Sequence, residues 1–208
     1  MRFSPSCGCC QCAYVASDGN RYTDDFTSLN ANWVGQEFNA VNLLISSGRL
    51  QLTVKTTGKT KWNAMQYVPP FTNPISSGTD LLVVIECQVY ADANTQFAGV
   101  FLSYDNTTFA SYVRRFAANF QDGTFEIPGL VVISQTPANG DKLTIKVTET
   151  QACYFINDDL VYTIDGATGL PSTFPTQDWY GVWGTPIVDS VNNVIAEFDN
   201  FTIHIGNP

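Results

Sequence analysis

Apolar and polar residues alternate one for one along several stretches of this chain. Leu50, Leu52 and Val54 alternate with Gln51, Thr53 and Lys55. Val83, Ile85, Cys87 and Val89 share one parity, with Glu86 and Gln88 on the other. Leu143, Ile145 and Val147 repeat the pattern, and so do Phe201, Ile203 and Ile205 against Thr202 and His204. A period of two sends alternate side chains to opposite faces of a strand, so each stretch has one face for a core and one for something else. By this parity Cys87 is a core residue. Between the stretches lie turn formers: Ser46-Ser47-Gly48, Asp105-Asn106-Thr107-Thr108, Asp122-Gly123, Asn139-Gly140-Asp141 and Asn157-Asp158-Asp159. Pro69, Pro70 and Pro74 mark a stiff loop over about 69–79, and a second long loop covers about 165–178. Roughly a dozen short strands at near-regular spacing, with no convincing helix, predict an all-β domain: a two-sheet antiparallel β-sandwich of the jelly-roll kind.

The last strand carries an irregularity. Phe198 is out of step with Phe201, so the period slips at Asp199-Asn200, which predicts a β-bulge there. Far upstream, Thr23-Asp24-Asp25-Phe26 places acidic residues before the β-rich run, which is expected to open over 26–33. The two ends of the domain are expected to meet.

Composition narrows the partners. The net charge is −9, and the ten Lys and Arg residues are scattered. Phosphate backbones are bound by clustered cations, so nucleic acid is an unfavourable partner. An acidic β protein suits calcium or a neutral partner such as a glycan. No stretch reaches the ~20 apolar residues of a membrane-spanning helix; Leu81-Leu82-Val83-Val84-Ile85 runs into Glu86. Met1-Arg2-Phe3-Ser4-Pro5 leads into no apolar segment of the kind a Sec signal needs, so non-classical release, virion association or a cytoplasmic location is expected.

Residues 1–20 read as a Cys-rich N-terminal tail and 21–208 as the sandwich. Cys7, Cys9, Cys10 and Cys12 fall within six residues. Thiolates suit zinc, cuprous copper or an iron–sulfur cluster. Cys7/Cys10 and Cys9/Cys12 each have the x2 spacing of zinc ligands, but they interleave, so one ion held by all four requires a very tight loop. A site shared with a neighbouring subunit is easier. Disulfides, within the cluster or between chains, are the second reading, and a tail with no site the third.

Four pieces, in order, resemble the concanavalin A-like lectin/glucanase superfamily, the laminin-G-like and carbohydrate-binding jelly rolls. They are Asp24-Asp25-Phe26 with Trp33; the run 97–105 with Tyr112-Val113-Arg114; the run 143–147 with 153–161 around Asn157-Asp158; and Tyr180-Gly181-Val182-Trp183 with Phe198-Asp199-Asn200-Phe201. Together they span about 24–205. The resemblance implies a jelly-roll sandwich and a structural calcium between the first and last strands. Its ligands would be Asp25 and Asp199, with Asp24 and Asn200 weaker. The alternative is that these carboxylates only hold turns and the bulge.

Glycanases of that superfamily carry Glu-x-Asp-x-x-Glu or Glu-x-Asp-x-Glu on one strand. The spacing is absent here. Glu86 has no acidic residue two positions on, Glu126 precedes Ile127-Pro128, and the bulge is expected to turn Glu197 and Asp199 apart. His204 has no Ser or Cys nucleophile pattern beside it. Sugar binding requires aromatic faces beside amides and carboxylates. Trp62, Tyr67, Tyr112, Arg114, Trp179 and Trp183 are the candidates, expected on the outer face of one sheet, against the plainer reading that most of them pack the core or loops. The expected function is a non-catalytic module for a glycan or protein surface. The alternatives are an assembly protein of a phage or cell-surface particle, its subunits joined into a homo-oligomer through the tail, and a glycan-active enzyme whose site has no recognised motif.

Overall fold

The computed structural model describes residues 20–35, 41–55, 57, 63–67, 82–103, 114–147, 151–165 and 179–206. In chain order the strands are β1 (Asn20–Asp24), β2 (Trp33–Gly35), β3 (Val41–Ser46), β4 (Arg49–Val54), β5 (Asn63–Tyr67), β6 (Leu82–Tyr90), β7 (Thr95–Ser103) and β8 (Arg114–Asn119). Then come β9 (Thr124–Ile127), β10 (Val131–Ile133), β11 (Asp141–Val147), β12 (Gln151–Ile156), β13 (Asp159–Asp165), β14 (Trp179–Pro186) and β15 (Val194–Gly206). One sheet has the order β13-β12-β11-β6-β15-β4-β3, with β1 also paired to β15. The other runs β10-β9-β8-β7-β14-β5-β2. Every strand pair is antiparallel. The predicted two-sheet all-β sandwich is therefore what the chain adopts.

The alternation decides which face is inside. Val83, Ile85, Cys87 and Val89 of β6 lie in the core with Leu143, Ile145 and Val147 of β11 and with Phe198, Phe201 and Ile203 of β15. The facing sheet contributes Ala98, Val100, Leu102, Phe116, Phe125, Tyr180 and Val182. Burying each large apolar side chain contributes about 1.5–3 kcal/mol before chain entropy is counted. Across the middle, Phe116 meets Tyr154 edge-on, with ring centroids 5.6 Å apart. Cys87 is fully buried, and burial pushes its thiol pKa well up, so it is an unreactive core residue.

Two tight turns have the backbone their residues favour. Ser47 and Gly48 both have positive φ (55° and 74°), as do Asn157 and Asp158 (50° and 72°). These are the conformations of two-residue hairpins whose twist matches the flanking strands. The bulge lies where the period slips: the β15–β6 register shifts between Asp199 and Thr202, and Asn200 has φ 51°. Asn tolerates the left-handed region because its short polar side chain bonds locally. The domain ends meet through β1 and β15, from Asn20 opposite Ile205 to Asp24 opposite Phe201. The opening differs from expectation. The first strand ends at Asp24, and 25–32 form a loop rather than a strand, because Phe26 takes φ 53° and turns the chain.

Gly99 sits on β7 between Trp183 and Ala117. A Cβ there would stand 2.2 Å from the Phe116 carbonyl oxygen and 2.7 Å from the Ala117 Cβ. Only glycine fits without moving backbone. Gly99→Ala is expected to destabilise the domain by about 1–3 kcal/mol, read as a lower urea midpoint at unchanged slope.

His204, on the outer side of β15, is 3% exposed, and burial, then the positive charge of Arg21, lowers its pKa below the ordinary histidine value. The unfolded chain takes up this proton near pH ~6.5 and the folded chain only at lower pH. The unfolded state therefore binds more protons in that window. The stability is fully present above about pH 6.5 and falls as pH drops toward the folded pKa. His204→Gln should flatten this part of the profile, measured as urea midpoints between about pH 5.5 and 7.5.

Candidate ligand-binding site

Asp24 ends β1 and joins three parts of the molecule. One carboxylate oxygen accepts the Phe26 backbone N–H at 2.9 Å. The other accepts the indole Nε1–H of Trp33 at 2.9 Å. Trp33 belongs to the opposite sheet and lies against Phe26 and Phe201, with centroids 5.6 and 4.8 Å away. A buried indole N–H needs an acceptor, and Asp24, only 7% exposed, supplies it. The loop is then built from short polar side chains closing on their own backbone. Asp25 Oδ1 accepts the Thr27 N–H at 3.2 Å, and Asn30 Oδ1 accepts the Asn32 N–H at 2.9 Å. Such local bonds are what Asp, Asn, Ser and Thr offer in place of a strand ladder.

The result is an open polar cavity of about 360 Å³ lined by Thr23, Asp24, Asp25, Thr27, Ser28 and Asn30. Hydroxyls and an amide both donate and accept, while carboxylates accept. This lining matches a neutral, polyhydroxylated ligand. The Thr-Ser-Leu-Asn stretch 27–30 carried the signal for it as a run of turn-forming side chains. The sequence reading took 26–33 as strand and so missed Thr27, Ser28 and Asn30.

Of the residues expected to hold calcium, Asp24 ends β1, Asp25 follows it in the loop toward β2, and Asp199 and Asn200 lie on β15, the strand beside β1. Asp25 lines the cavity. Asp199 stands at the bulge and accepts the Asn200 N–H at 2.8 Å, while Asn200 donates from Nδ2 to Gln88 at 2.6 Å. Both oxygens of Asp24 are engaged as above, and Asp25 and Asp199 each use one oxygen on a backbone N–H. No group of three or more His, Cys, Asp or Glu side chains converges among the described residues. A calcium ion bound there would need backbone carbonyls, amides and water to reach its six to eight oxygens.

The expected aromatic face is not assembled from the residues described. Trp183 is on the outer side of its strand, opposite in parity to Tyr180 and Val182, but it is fully buried. Its indole donates to the Val100 carbonyl at 3.2 Å and its ring stacks on Phe97. Arg114 shares parity with Phe116 and Ala118 and so lies on the inner side, where burial raises the pKa of the Tyr154 phenol and the Arg114 charge opposes that rise only in part. The two therefore stand on opposite faces of one sheet. In register, Tyr67 is opposite Tyr180 and Trp33, and Trp179 is opposite Ser103. The side chains of Tyr67 and Trp179, together with Trp62, Tyr112, Cys7, Cys9, Cys10 and Cys12, lie outside the described residues.

One expectation about carboxylates changes. The bulge follows Asp199, so Glu197 and Asp199 flank the core residue Phe198 and share the outer face. Glu197 is held there by Arg49 at 3.0 Å and by Gln51. The Arg49 guanidinium also lies 3.5 Å above the Tyr90 ring.

No family model matches the chain. No curated protein matches it in sequence. Solved structures do match. Arcelin-5, a lectin-like defense protein from Phaseolus vulgaris, is 11% identical with a TM-score of 0.59, over 92% of this chain and all of its own. The CBM2 module of the evolved Dit protein of Lactobacillus casei BL23 phage J-1 is 12% identical with a TM-score of 0.52, over 88% of this chain and 94% of its own. The carbohydrate-binding module CBM66 from Bacillus subtilis is 14% identical with a TM-score of 0.51, over 83% of this chain and 95% of its own. At such identities the likeness establishes architecture, and the chain has the concanavalin A-like fold of the legume lectins and carbohydrate-binding modules.

Proposed function

We propose that this domain is a non-catalytic module that binds a glycan in the loop cavity at the end of β1. The observation that carries the reading is the cavity itself. Its volume of about 360 Å³ suits one or two sugar rings, and its lining combines carboxylate, hydroxyl and amide groups without a cation. The fold is shared with lectins and carbohydrate-binding modules, which supports the same ligand class. A glycan array probed with the whole chain is expected to give a defined set of ligands. Thr27→Ala with Ser28→Ala, both lining the cavity and neither a calcium ligand, should weaken the best of them at least tenfold, with melting temperature retained. An empty array, or unchanged affinity in the double variant, overturns the site. A protein ligand captured in its place, with no glycan bound, overturns the glycan reading. Release of new reducing ends from the bound glycan overturns the non-catalytic part.

A structural calcium ion shared by Asp25 and Asp199 accompanies this reading, supported by the neighbouring placement of β1 and the bulge. The domain should then melt at a higher temperature in calcium than in chelator, and Asp199→Ala should abolish the difference. Equal melting of the unaltered protein in both overturns it.

The alternative is an assembly role in a particle. It is supported by the Dit module among the similar structures and by the cysteine-rich start of the chain.

A further inference from the structure

The seven-stranded sheet ends on β10, and this edge lacks the usual protection. Among the described residues no strand pairs with β10 on the side away from β9. Edge strands are ordinarily kept from pairing with other chains by a charged side chain, a proline, a bulge or a covering segment. No charged residue lies between Glu126 and Asp141, and the nearest prolines, Pro128 and Pro137, fall outside Val131–Ile133. The pairing with β9 runs without a register shift from Val131 opposite Ile127 to Ile133 opposite Phe125. The outer side is open to water, with Leu130 56% and Val132 60% exposed. Two other edges differ. β13 begins and ends in aspartate, at Asp159 and Asp165. β3 shows a single exposed apolar side chain, Leu44, with Asn42 and Ser46 beside it on the same face.

Both faces of β10 are apolar. Val131 and Ile133 pack against the core and stay partly exposed, while Val132, with Leu130 before it, points outward. A second strand along the edge covers both faces at once. The occupant this strand fits is its own copy. Each copy carries a net charge of −9, so two copies meet most readily where the contact itself holds no charge. Turned about a two-fold axis through Val132, β10 lies antiparallel to itself. Val132 is then opposite the partner's Val132, and Val131 is opposite the partner's Ile133. Matching parity keeps the inner residues of both copies on the inner face, so the two cores continue into each other. Glu126 is the cross-strand neighbour of Val132 on β9. The two Glu126 positions would stand about 14 Å apart, three strand spacings of ~4.8 Å, beyond the ~8 Å over which charges in salt stay coupled. A two-fold contact uses both edges together and closes, so it stops at two copies.

We infer that β10 is a self-association edge: two copies of the chain pair antiparallel through Val131–Ile133, centred on Val132, and join their seven-stranded sheets into one. Three residues a side bury well under the ~1,200–2,000 Å² of a stable interface, so the dimer is weak and depends on concentration. The contact needs no cysteine.

Sedimentation of the whole chain in reductant, from about 5 to 500 μM, tests this. Reductant removes any dimer linked by disulfides and leaves a strand-paired one. The unaltered chain is expected to pass from monomer to a substantial dimer fraction. Val132→Lys sets two cations on the axis and should weaken association at least tenfold, with the melting temperature at the lowest concentration retained. Val132→Cys under mild oxidation should yield a peptide cross-linked from position 132 to position 132 of a second chain. Directly opposed antiparallel residues stand about 4.5–5.5 Å apart Cα to Cα, within disulfide reach. If Val132→Lys does not melt cooperatively, this cross-link decides alone. A chain monomeric at every concentration overturns the inference, including one whose β10 edge takes up an unrelated extended peptide instead. So does a dimer that a folded Val132→Lys leaves intact, or position 132 cross-linked only to native cysteines.

Discussion

The closing strand changes partner halfway along, and the architecture depends on that exchange. β15 runs from Val194 to Gly206 and pairs with β6 on one side from Glu197 onward. On its other side it pairs with β4 as far as Phe198 and with β1 from Phe201 onward. The bulge at Asp199 and Asn200 falls in the gap between the two partners. An extra residue in the left-handed conformation lets both halves present apolar side chains to the same core, Phe198 before it and Phe201 and Ile203 after. Without the slip, one half of the strand would turn its phenylalanine to the outer face. The cavity at the end of β1 follows from the same arrangement. β1 ends opposite Phe201, and the chain must then leave the sheet and cross to Trp33 in the other one. Asp24 secures that crossing with one carboxylate oxygen on each side.

Much of this was legible in the residues. Strict alternation identified the core faces of β4, β6, β11 and β15, placed Cys87 inside, and located the bulge, because burial on one face punishes any error in parity. What failed was parity without a strand beneath it. Residues 26–33 were read as extended, yet the left-handed Phe26 and the side-chain-to-backbone bonds of Asp25 and Asn30 make a loop. Local polar closure of that kind leaves no periodic trace. The cavity residues were hidden for the same reason.

The tryptophan and arginine candidates show a different limit. Parity sends Trp183 outward, as expected, but facing outward from a sheet is not the same as facing water. Its neighbour Gly99 has no side chain, so the indole settles onto the strand and bonds the Val100 carbonyl. Arg114 has the parity of Phe116 and points inward near Tyr154, a placement that charge alone would argue against. Which segments cover a sheet depends on loops whose paths no local pattern encodes.

The strand order also bears on how this domain is made. β15 stands in the middle of one sheet, and β14 lies between β7 and β5 in the other. Both come late in the chain. Until residues 179–206 are available, β3 and β4 have no link to β6 and its neighbours, and β2 and β5 have none to β7. Joining Asn20 to Ile205 closes a loop spanning nearly the whole domain, at an entropy cost that few contacts repay before closure. Folding should therefore be slow and concerted, with half-sheets exposing unpaired edges while they wait, and removing the last strand should split the eight-stranded sheet in two rather than trim an edge.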